Sequence, residues 1–579
     1  MSRDPERSMT MALISIIQDF HPLQNTKLLE RAAALAPTLY HAVCEPVSAF
    51  LPAGCGRDEK NVTTLETVPS LSLKKGDSLC LDFGTHLVGY LTLDLAATGS
   101  HQDAPAFLRF RFAETLAELR EDPEMYSGWV SGSWIQQEQI HVDELPARLS
   151  LPRRYAFRYL MISVLDTSPK FAVTVQHAEC KTETSADLSR ADIPSTGDPL
   201  LDRIYTVSLR TLANCMQSVF EDGPKRDRRL WMGDFRLQAL TNYVSFQNYD
   251  LVKRCLYLFG GSRFPDGRIS AAVFTSPSPE ADDTYLFDYA LMYVAALEEY
   301  LEETGDEESL ADLYDIAMEQ IDYALRQCTA DGLLNEQTVK DTFIDWGDEL
   351  DKNACALAVL IYAMHYALQL AERKGDTSRR AELLQRRAEL RDAARRSFWN
   401  EEKQLFVSNG QVSAASQVWM VLAGVPSPGQ AKAVMLKTAA LSGEPSMTTP
   451  YMHHFYLTAL LQAGLREEAL SHMKSYWGGM LDAGADKVSL NSAAIADPSL
   501  ISSISALIGN ADTYYASIMD FLQRLSELPI ARHLDLEKLT ESVQGYVGKL
   551  LNSVTSNMQS ILAKAGSIGT SVFNWVVGL

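Results

Sequence analysis

Thirteen residues, Asp222-Gly223-Pro224-Lys225-Arg226-Asp227-Arg228-Arg229-Leu230-Trp231-Met232-Gly233-Asp234, gather three carboxylates, three arginines, a lysine and a tryptophan. Cleaving a glycosidic bond needs carboxyl groups around one sugar: one protonates the leaving oxygen, the other activates water. It also needs charge partners that set each carboxyl pKa, and an aromatic ring to carry the sugar. This segment can supply most of that set. A solvated, charged helix start is the plainer reading of an Asp-rich stretch. The Gly-Pro, the Trp and the closing Gly-Asp argue for a shaped loop instead.

Two further phrases have a related composition. Phe343-Ile344-Asp345-Trp346-Gly347-Asp348-Glu349-Leu350-Asp351-Lys352 sets a Trp among carboxylates just before a helix. The ring could stack on a sugar face while the acids take hydroxyls. Equally, the phrase could be a capping loop, with Asp351 or Asn353 as N-cap. Thr449-Pro450-Tyr451-Met452-His453-His454-Phe455 starts a helix. Adjacent side chains on a helix point about 100° apart, so the two histidines do not share one metal. One lining a pocket and one packed is the expected arrangement. Asp282-Asp283 and Asp288-Tyr289 precede or open a helix, where acidic charge is favoured by the helix dipole.

The first segment resembles the signature of glycoside hydrolase family 78, the α-L-rhamnosidases and their relatives. Asp222, Pro224, Arg226, Arg228, Trp231, Gly233 and Asp234 all stand at matching spacing. The resemblance implies that Asp227 is the general acid, where most members carry Glu. It implies that Asp222 and Asp234 hold sugar hydroxyls, and that Arg226 and Arg228 shape the charge around Asp227. The Phe-Ile-Asp-Trp phrase resembles the family's pocket, which assigns Asp345 and Trp346 to substrate with Trp231 and Arg226. It also favours His453 as the pocket-lining histidine. Tyr476-Trp477-Gly478-Gly479-Met480-Leu481-Asp482-Ala483-Gly484-Ala485-Asp486 resembles the approach to the second catalytic carboxylate. Relatives continue with Thr, a hydrophobic residue, Trp and Glu, and that Glu is the base. Here Lys487-Val488-Ser489-Leu490 follows, with Leu490 at the expected Glu. Asp486 or Asp482 would have to serve. The resemblance covers about residues 70–486.

Elements must position these residues. At 579 residues the chain is long enough for two or more domains. Residues 1–190 read as mostly β, and the resemblance also implies an N-terminal β-sandwich. Ser78–Phe83 and Leu87–Leu95 alternate as strands around a turn at Gly84. Phe107–Phe112, Tyr155–Val164 and Phe171–Val175 follow, and several short strands suggest a sandwich. A linker lies near Ile193-Pro194-Ser195-Thr196-Gly197-Asp198-Pro199. Beyond it the hydrophobic period becomes helical. Leu291, Val294, Leu297 and Leu301 mark one face before Gly305 ends the helix, and Leu310, Leu313, Ala317, Ile321 and Leu325 mark the next. Helices over 353–374, 379–398, 413–423, 428–441, 451–464 and 466–477 complete pairs joined by short loops. Pairs of this kind suggest a toroid or a solenoid. The resemblance selects an (α/α)6 barrel over 198–490 that carries the site. Residues 491–579 read as a divergent helical tail that could complete the barrel.

Composition narrows the partners. Lys+Arg 52 against Asp+Glu 74 gives a net charge of −22, which argues against nucleic acid or anionic membrane as the main partner. The eight cysteines are scattered without a CxxC pair, so no structural zinc, other metal or cofactor is expected. The charged N-terminus lacks a secretory hydrophobic stretch, and the apolar last nine residues are too short to span a bilayer. An intracellular, cytoplasmic protein is expected, with room for a homo-oligomer. The expected activity is inverting hydrolysis of a small glycoside, impaired by Leu490. The alternative is the same fold recruited to a non-hydrolytic or binding role on a hydrophobic metabolite in biosynthesis. Between the two, whether the chain is an enzyme stays open.

Overall fold

The computed structural model describes residues 20–482 apart from 52–61, 121–122, 124–125, 127–130, 192–194, 348 and 442–445. Cys55, Asp348, Asp486, Leu490 and the 491–579 tail lie outside the described residues. So does everything expected of them, including the second carboxylate.

The described chain opens with strand β1 (Leu23–Gln24) and helix α1 (Thr26–Ala34). Strands β2 (Tyr40–Cys44), β3 (Ser48–Phe50), β4 (Val62–Thr63), β5 (Ser78–Gly99) and β6 (Ala106–Ala113) follow. Helix α2 (Leu116–Arg120) precedes β7 (Gln137–Val142), β8 (Ala147–Ser150), β9 (Tyr155–Asp166) and β10 (Phe171–Thr184). β2 to β10 form one antiparallel sheet along the path β2-β10-β5-β9-β6-β7, with β3, β4 and β8 branching from it, while β1 pairs elsewhere.

Strand β5 is the hub of this sheet. Its first part pairs with β3 and β9, with Leu81 opposite Ala49 and Leu160. Its last part pairs with β10 and β8, with Leu93 opposite Ala178 and Leu149. Leu79, Leu81, Leu91, Leu93, Leu95, Phe110, Phe157 and Val173 form one buried core. The turn expected at Gly84 is not a turn. The strand runs on for 22 residues, and Gly84 takes φ 77 inside a register shift between Asp82 and Leu87. A bulge of this kind bends a strand without ending it. A second departure is α1, which packs on the helical half of the molecule, while β1 pairs with a strand there.

The helices are α3 (Pro199–Cys215), α4 (Met232–Tyr243), α5 (Tyr249–Gly261), α6 (Phe287–Thr304), α7 (Glu307–Arg326) and α8 (Glu336–Lys340). They continue as α9 (Asn353–Lys374), α10 (Thr377–Phe398), α11 (Ala414–Leu422), α12 (Pro428–Ala439), α13 (Pro450–Gln462) and α14 (Arg466–Asp482). Asp198 accepts hydrogen bonds from the Leu200 and Leu201 amides and Pro199 opens the first turn, so α3 starts at a well-made cap. Gly305 closes α6 with φ 63, the left-handed cap that glycine favours. Helices α4, α6, α9, α11 and α13 contact one another in that order and are buried on most faces. Helices α3, α5, α7, α10, α12 and α14 lie outside them. Among the described residues the toroid therefore has five inner and six outer helices. Helix α9 is long and apolar enough to cross a membrane, yet 78% of its most apolar stretch is buried inside the barrel.

Candidate active site

The site is built at the N-terminal ends of the inner helices. After α3 the chain forms a closed loop. The Asp222 amide donates to the Arg229 carbonyl at 3.0 Å, and the Arg228 amide donates to the Gly223 carbonyl at 3.3 Å. The Arg229 amide donates back to Asp222 Oδ1 at 3.1 Å. At the tip Asp227 and Arg228 take φ 25 and 55, a region that side chains with a Cβ disfavour. Strand β11 (Leu230–Trp231) follows, and pairing with Ala272 and Val273 fixes the Trp231 backbone. Then α4 begins. A Cβ on Gly233 would come within 2.5 Å of the Tyr289 ring, so glycine lets that ring lie on the helix start. Asp234 follows in the first turn, buried.

Asp222 is fully buried, and its Oδ2 has no hydrogen-bond partner among the described residues. Burial first, and then the neighbouring Asp227 and Asp234, push its carboxyl well above the ordinary range. The arginines divide. Arg226 Nε lies 3.7 Å from Asp227 Oδ1. Arg228 donates to the Arg154 carbonyl at 2.8 Å. Arg229 pairs with Asp282 at 3.2 Å and lies over the Phe274 ring. Only Arg226 is at Asp227 directly.

The second loop is held from inside the barrel. Ile344 takes φ 60, which is unusual for a β-branched residue. Asp288 of α6, buried, accepts the Phe343 and Ile344 amides at 3.0 and 2.9 Å and keeps the loop in that shape. Asp345 is fully engaged: it accepts the Thr448 amide at 2.7 Å, the Thr448 hydroxyl at 2.9 Å, the Thr449 amide at 3.1 Å and the Trp346 amide at 2.9 Å. Burial raises its pKa, and these bonds oppose the rise. The carboxylate thus ties the loop to the start of α13, which Thr449 caps. Asp351 receives the Asn353 amide at 3.2 Å and the Asn409 side chain at 2.6 Å, but the N-cap of α9 is Lys352, not Asp351 or Asn353, and no side chain caps it.

Aromatic rings connect the two loops. Trp231 meets Tyr289 edge-on at 6.3 Å, Tyr289 meets Phe343 at 5.8 Å, and Phe343 meets Trp346 at 5.2 Å. Tyr451 of α13 lies 6.0 and 6.1 Å from Tyr289 and Phe343. Asp222, Asp227, Trp231, Asp234, Asp345 and Trp346 therefore belong to one end of the toroid. His453 packs against the next helix. Its Nδ1 is 2.9 Å from His472 Nε2, and its ring lies 3.8 Å from Tyr476, both on α14. Burial, then His472, lowers His453 to about 3. Burial, then Arg236, lowers the fully buried His454 to about 3. The sequence reading missed the supporting residues Asp288, Tyr289 and Tyr451 in these roles. Asp288 had been visible only as helix-start charge.

The chain resembles known proteins along nearly all of its described length. Residues 53–182 match the glycosyl hydrolase family 78 alpha-rhamnosidase N-terminal domain. Residues 190–488 match the bacterial alpha-L-rhamnosidase 6 hairpin glycosidase domain. A rhamnosidase from Klebsiella oxytoca, solved with rhamnose bound, is 40% identical with TM-score 0.79, and the match covers 84% of this chain and 99% of that one. A family 78 rhamnosidase of Bacillus sp. GL1 is 21% identical with TM-score 0.63, over 78% of this chain and 49% of that one. An alpha-L-rhamnosidase from Dictyoglumus thermophilum is 14% identical with TM-score 0.60, over 81% of this chain and 51% of that one. The chain thus matches about half the length of the last two. No curated protein sequence matches it.

Proposed function

The chain belongs to glycoside hydrolase family 78, and on that footing we propose that it receives the L-rhamnosyl end of a small glycoside and hydrolyses it slowly, with inversion. The observation that carries this reading is geometric: the loop bearing Asp222, Asp227 and Asp234 is joined to the Trp346 loop through the Trp231, Tyr289 and Phe343 rings at one end of the toroid. Asp227, half-buried at the strained tip, protonates the leaving oxygen, with Arg226 alongside. Trp231 and Trp346 carry the sugar face, and Asp222 and Asp234 take hydroxyls. Asp345 and His453 act at the edge of the pocket by holding its walls.

The weakness lies in the second carboxylate. Inversion needs a base about 6.5–9.5 Å from the acid, with water between. Leu490 stands where relatives carry Glu. Asp486 is left to deprotonate water, and losing one member of an acid/base pair costs about 10²–10⁴-fold. Because of Leu490, a second reading remains: the pocket binds an apolar metabolite without hydrolysing it. The free, mostly buried cysteines suit a reducing cytoplasm.

The test is turnover of an aryl α-L-rhamnoside by wild type, Asp227→Asn and Leu490→Glu. Slow turnover that Asp227→Asn abolishes and Leu490→Glu raises supports the proposal. Fast wild-type turnover removes the claim of a missing base. No turnover in any variant, with an apolar ligand bound, favours the second reading.

A further inference from the structure

We propose that the β-sheet domain is the positioning half of the active site: Gln136, Arg154, Glu114 and Glu118 clamp the loop that carries Asp227. This rests on Asp227 being the proton donor.

The loop's own hydrogen bonds close only its base, between Asp222 and Arg229 and between Gly223 and Arg228. Its tip is left-handed at two consecutive non-glycine residues. Such a conformation persists only where the surroundings over-determine it. Here the surroundings belong to the other domain. Two residues before Asp227, the Lys225 carbonyl accepts from Gln136 Nε2 at 3.1 Å. The Lys225 ammonium pairs with Glu118 and lies 3.9 Å from Glu114. One residue after Asp227, Arg228 donates to the Arg154 carbonyl at 2.8 Å. At the foot of the loop, Arg154 grips Glu221 through two contacts of 2.8 and 2.6 Å. The acid is therefore flanked on both sides by residues bonded to the connections of the β-sheet domain.

The holders are themselves fixed. Gln136 Oε1 accepts the Ala156 amide at 2.9 Å, which orients its Nε2 toward Lys225. Glu114 is fully buried and lies 2.9 Å from His86 Nε2, while His86 Nδ1 is 2.8 Å from the Asn214 side chain on α3. A path of buried polar groups thus runs from α3 through the sheet domain and back to the acid loop. Their contacts fall on Lys225, Arg228 and Glu221, beside Asp227. They are positioning residues, acting through the backbone on either side of it.

The experiment uses the full chain with Lys225→Met, Lys225→Arg and the milder Glu118→Gln. Three quantities are read: kcat and KM on an aryl α-L-rhamnoside, calorimetric affinity for L-rhamnose, and hydrogen exchange over residues 223–230. A misplacement of about 1 Å in a catalytic group can cost about 10²-fold. Lys225→Met is expected to lower kcat about 10–100-fold with KM and L-rhamnose affinity changed about 3-fold at most, the signature of a lost transition-state contact. Exchange over 223–230 should quicken while the inner helices stay unchanged. Lys225→Arg should restore most of kcat, and Glu118→Gln should show a smaller effect of the same kind. Unchanged kcat in a folded Lys225→Met, or KM rising in step with falling kcat, overturns the clamp. If wild type binds L-rhamnose without turning anything over, the hydrolysis reading fails by itself. In that case unchanged exchange over 223–230 in the variants overturns the clamp separately.

Discussion

The two loops that face each other across the site solve one problem in opposite ways. Both hold non-glycine residues at positive φ: Asp227 and Arg228 on one side, Ile344 on the other. The acid loop is held from outside, by the Gln136 and Arg154 side chains and the Arg154 carbonyl of the sheet domain around Lys225, Arg228 and Glu221. The Trp346 loop is held from inside, by buried carboxylates of the barrel that accept its amides or tie it to α13. One depends on how two domains dock. The other depends only on neighbouring helices. The acid side should respond to changes at the domain contact, whereas the aromatic side should respond to changes in barrel packing.

The largest expected effect separates chemistry from binding. Asp227→Asn should lower aryl α-L-rhamnoside turnover by about 10²–10⁴-fold and leave L-rhamnose affinity nearly intact. Trp346→Ala should do the reverse, weakening L-rhamnose binding measured by calorimetry. If both variants change the same parameter, the division between an acid side and a binding side is wrong. Next in size is Asp288→Ala. It leaves the Phe343 and Ile344 amides without their acceptor. Each orphaned buried group costs about 1–3 kcal/mol, so a loss of about 2–5 kcal/mol in denaturant unfolding is expected. The strained Ile344 should relax and carry Trp346 with it. An unchanged midpoint would show that the loop keeps its shape without Asp288.

Much of this was legible in the sequence, for physical reasons. The change of hydrophobic period from 2 to 3.6 marked the passage from sheet to helices. Gly305 announced the end of α6, because a left-handed cap wants glycine. The clustering of Asp222, Asp227 and Asp234 was visible because all three lie within thirteen residues. The supports were not visible. Asp288 lies 55 residues from Phe343, and Arg154 lies 67 from Glu221. Contacts at such separations leave no period or spacing to read. Gly84 misled for a related reason: a positive φ serves a bulge as well as a turn, and only the partner strands decide between them. The contact of His453 with His472, one helix further on, was equally hidden.

A smaller effect tests the proton held in the acid loop. The raised pKa of Asp222 means that the folded state keeps a proton which the unfolded chain releases above about 4. Stability from this group is therefore full below that pH and declines as pH rises toward the folded value. Asp222→Asn removes the dependence. It should raise stability at neutral pH, by about 1.4 kcal/mol for each pH unit over which only the folded wild type holds the proton, while lowering turnover. Calorimetric unfolding at pH 5 and 8 checks this, with the gain over wild type larger at pH 8. An equal loss of stability at both would mean that Asp222 is ionised and structurally required.

The smallest effect belongs to the barrel side, away from the domain contact. His453 is held at about 3 and His472 at about 4, chiefly by burial, against about 6.5 in an unfolded chain. Both are cationic groups whose folded pKa is depressed. Their contribution is complete above about 6.5 and is lost as pH falls, because the unfolded chain then takes up protons that the fold refuses. Each such histidine should cost about 1.4 kcal/mol per pH unit between about 6 and 4. His453→Phe keeps an aromatic ring against Tyr476 and removes one titrating group. Its unfolding free energy should therefore fall less steeply than wild type over that range, by about that amount per unit. Contributions from carboxylates elsewhere cancel in the difference between the two proteins. The contact at 2.9 Å between His453 Nδ1 and His472 Nε2 requires one ring to donate and the other to accept. Two neutral rings of the same tautomer satisfy it, both protonated on Nδ1 or both on Nε2, and so does one imidazolium beside one imidazole. Parallel slopes in the two proteins would select the second arrangement, and the barrel side would then carry a buried charge of its own.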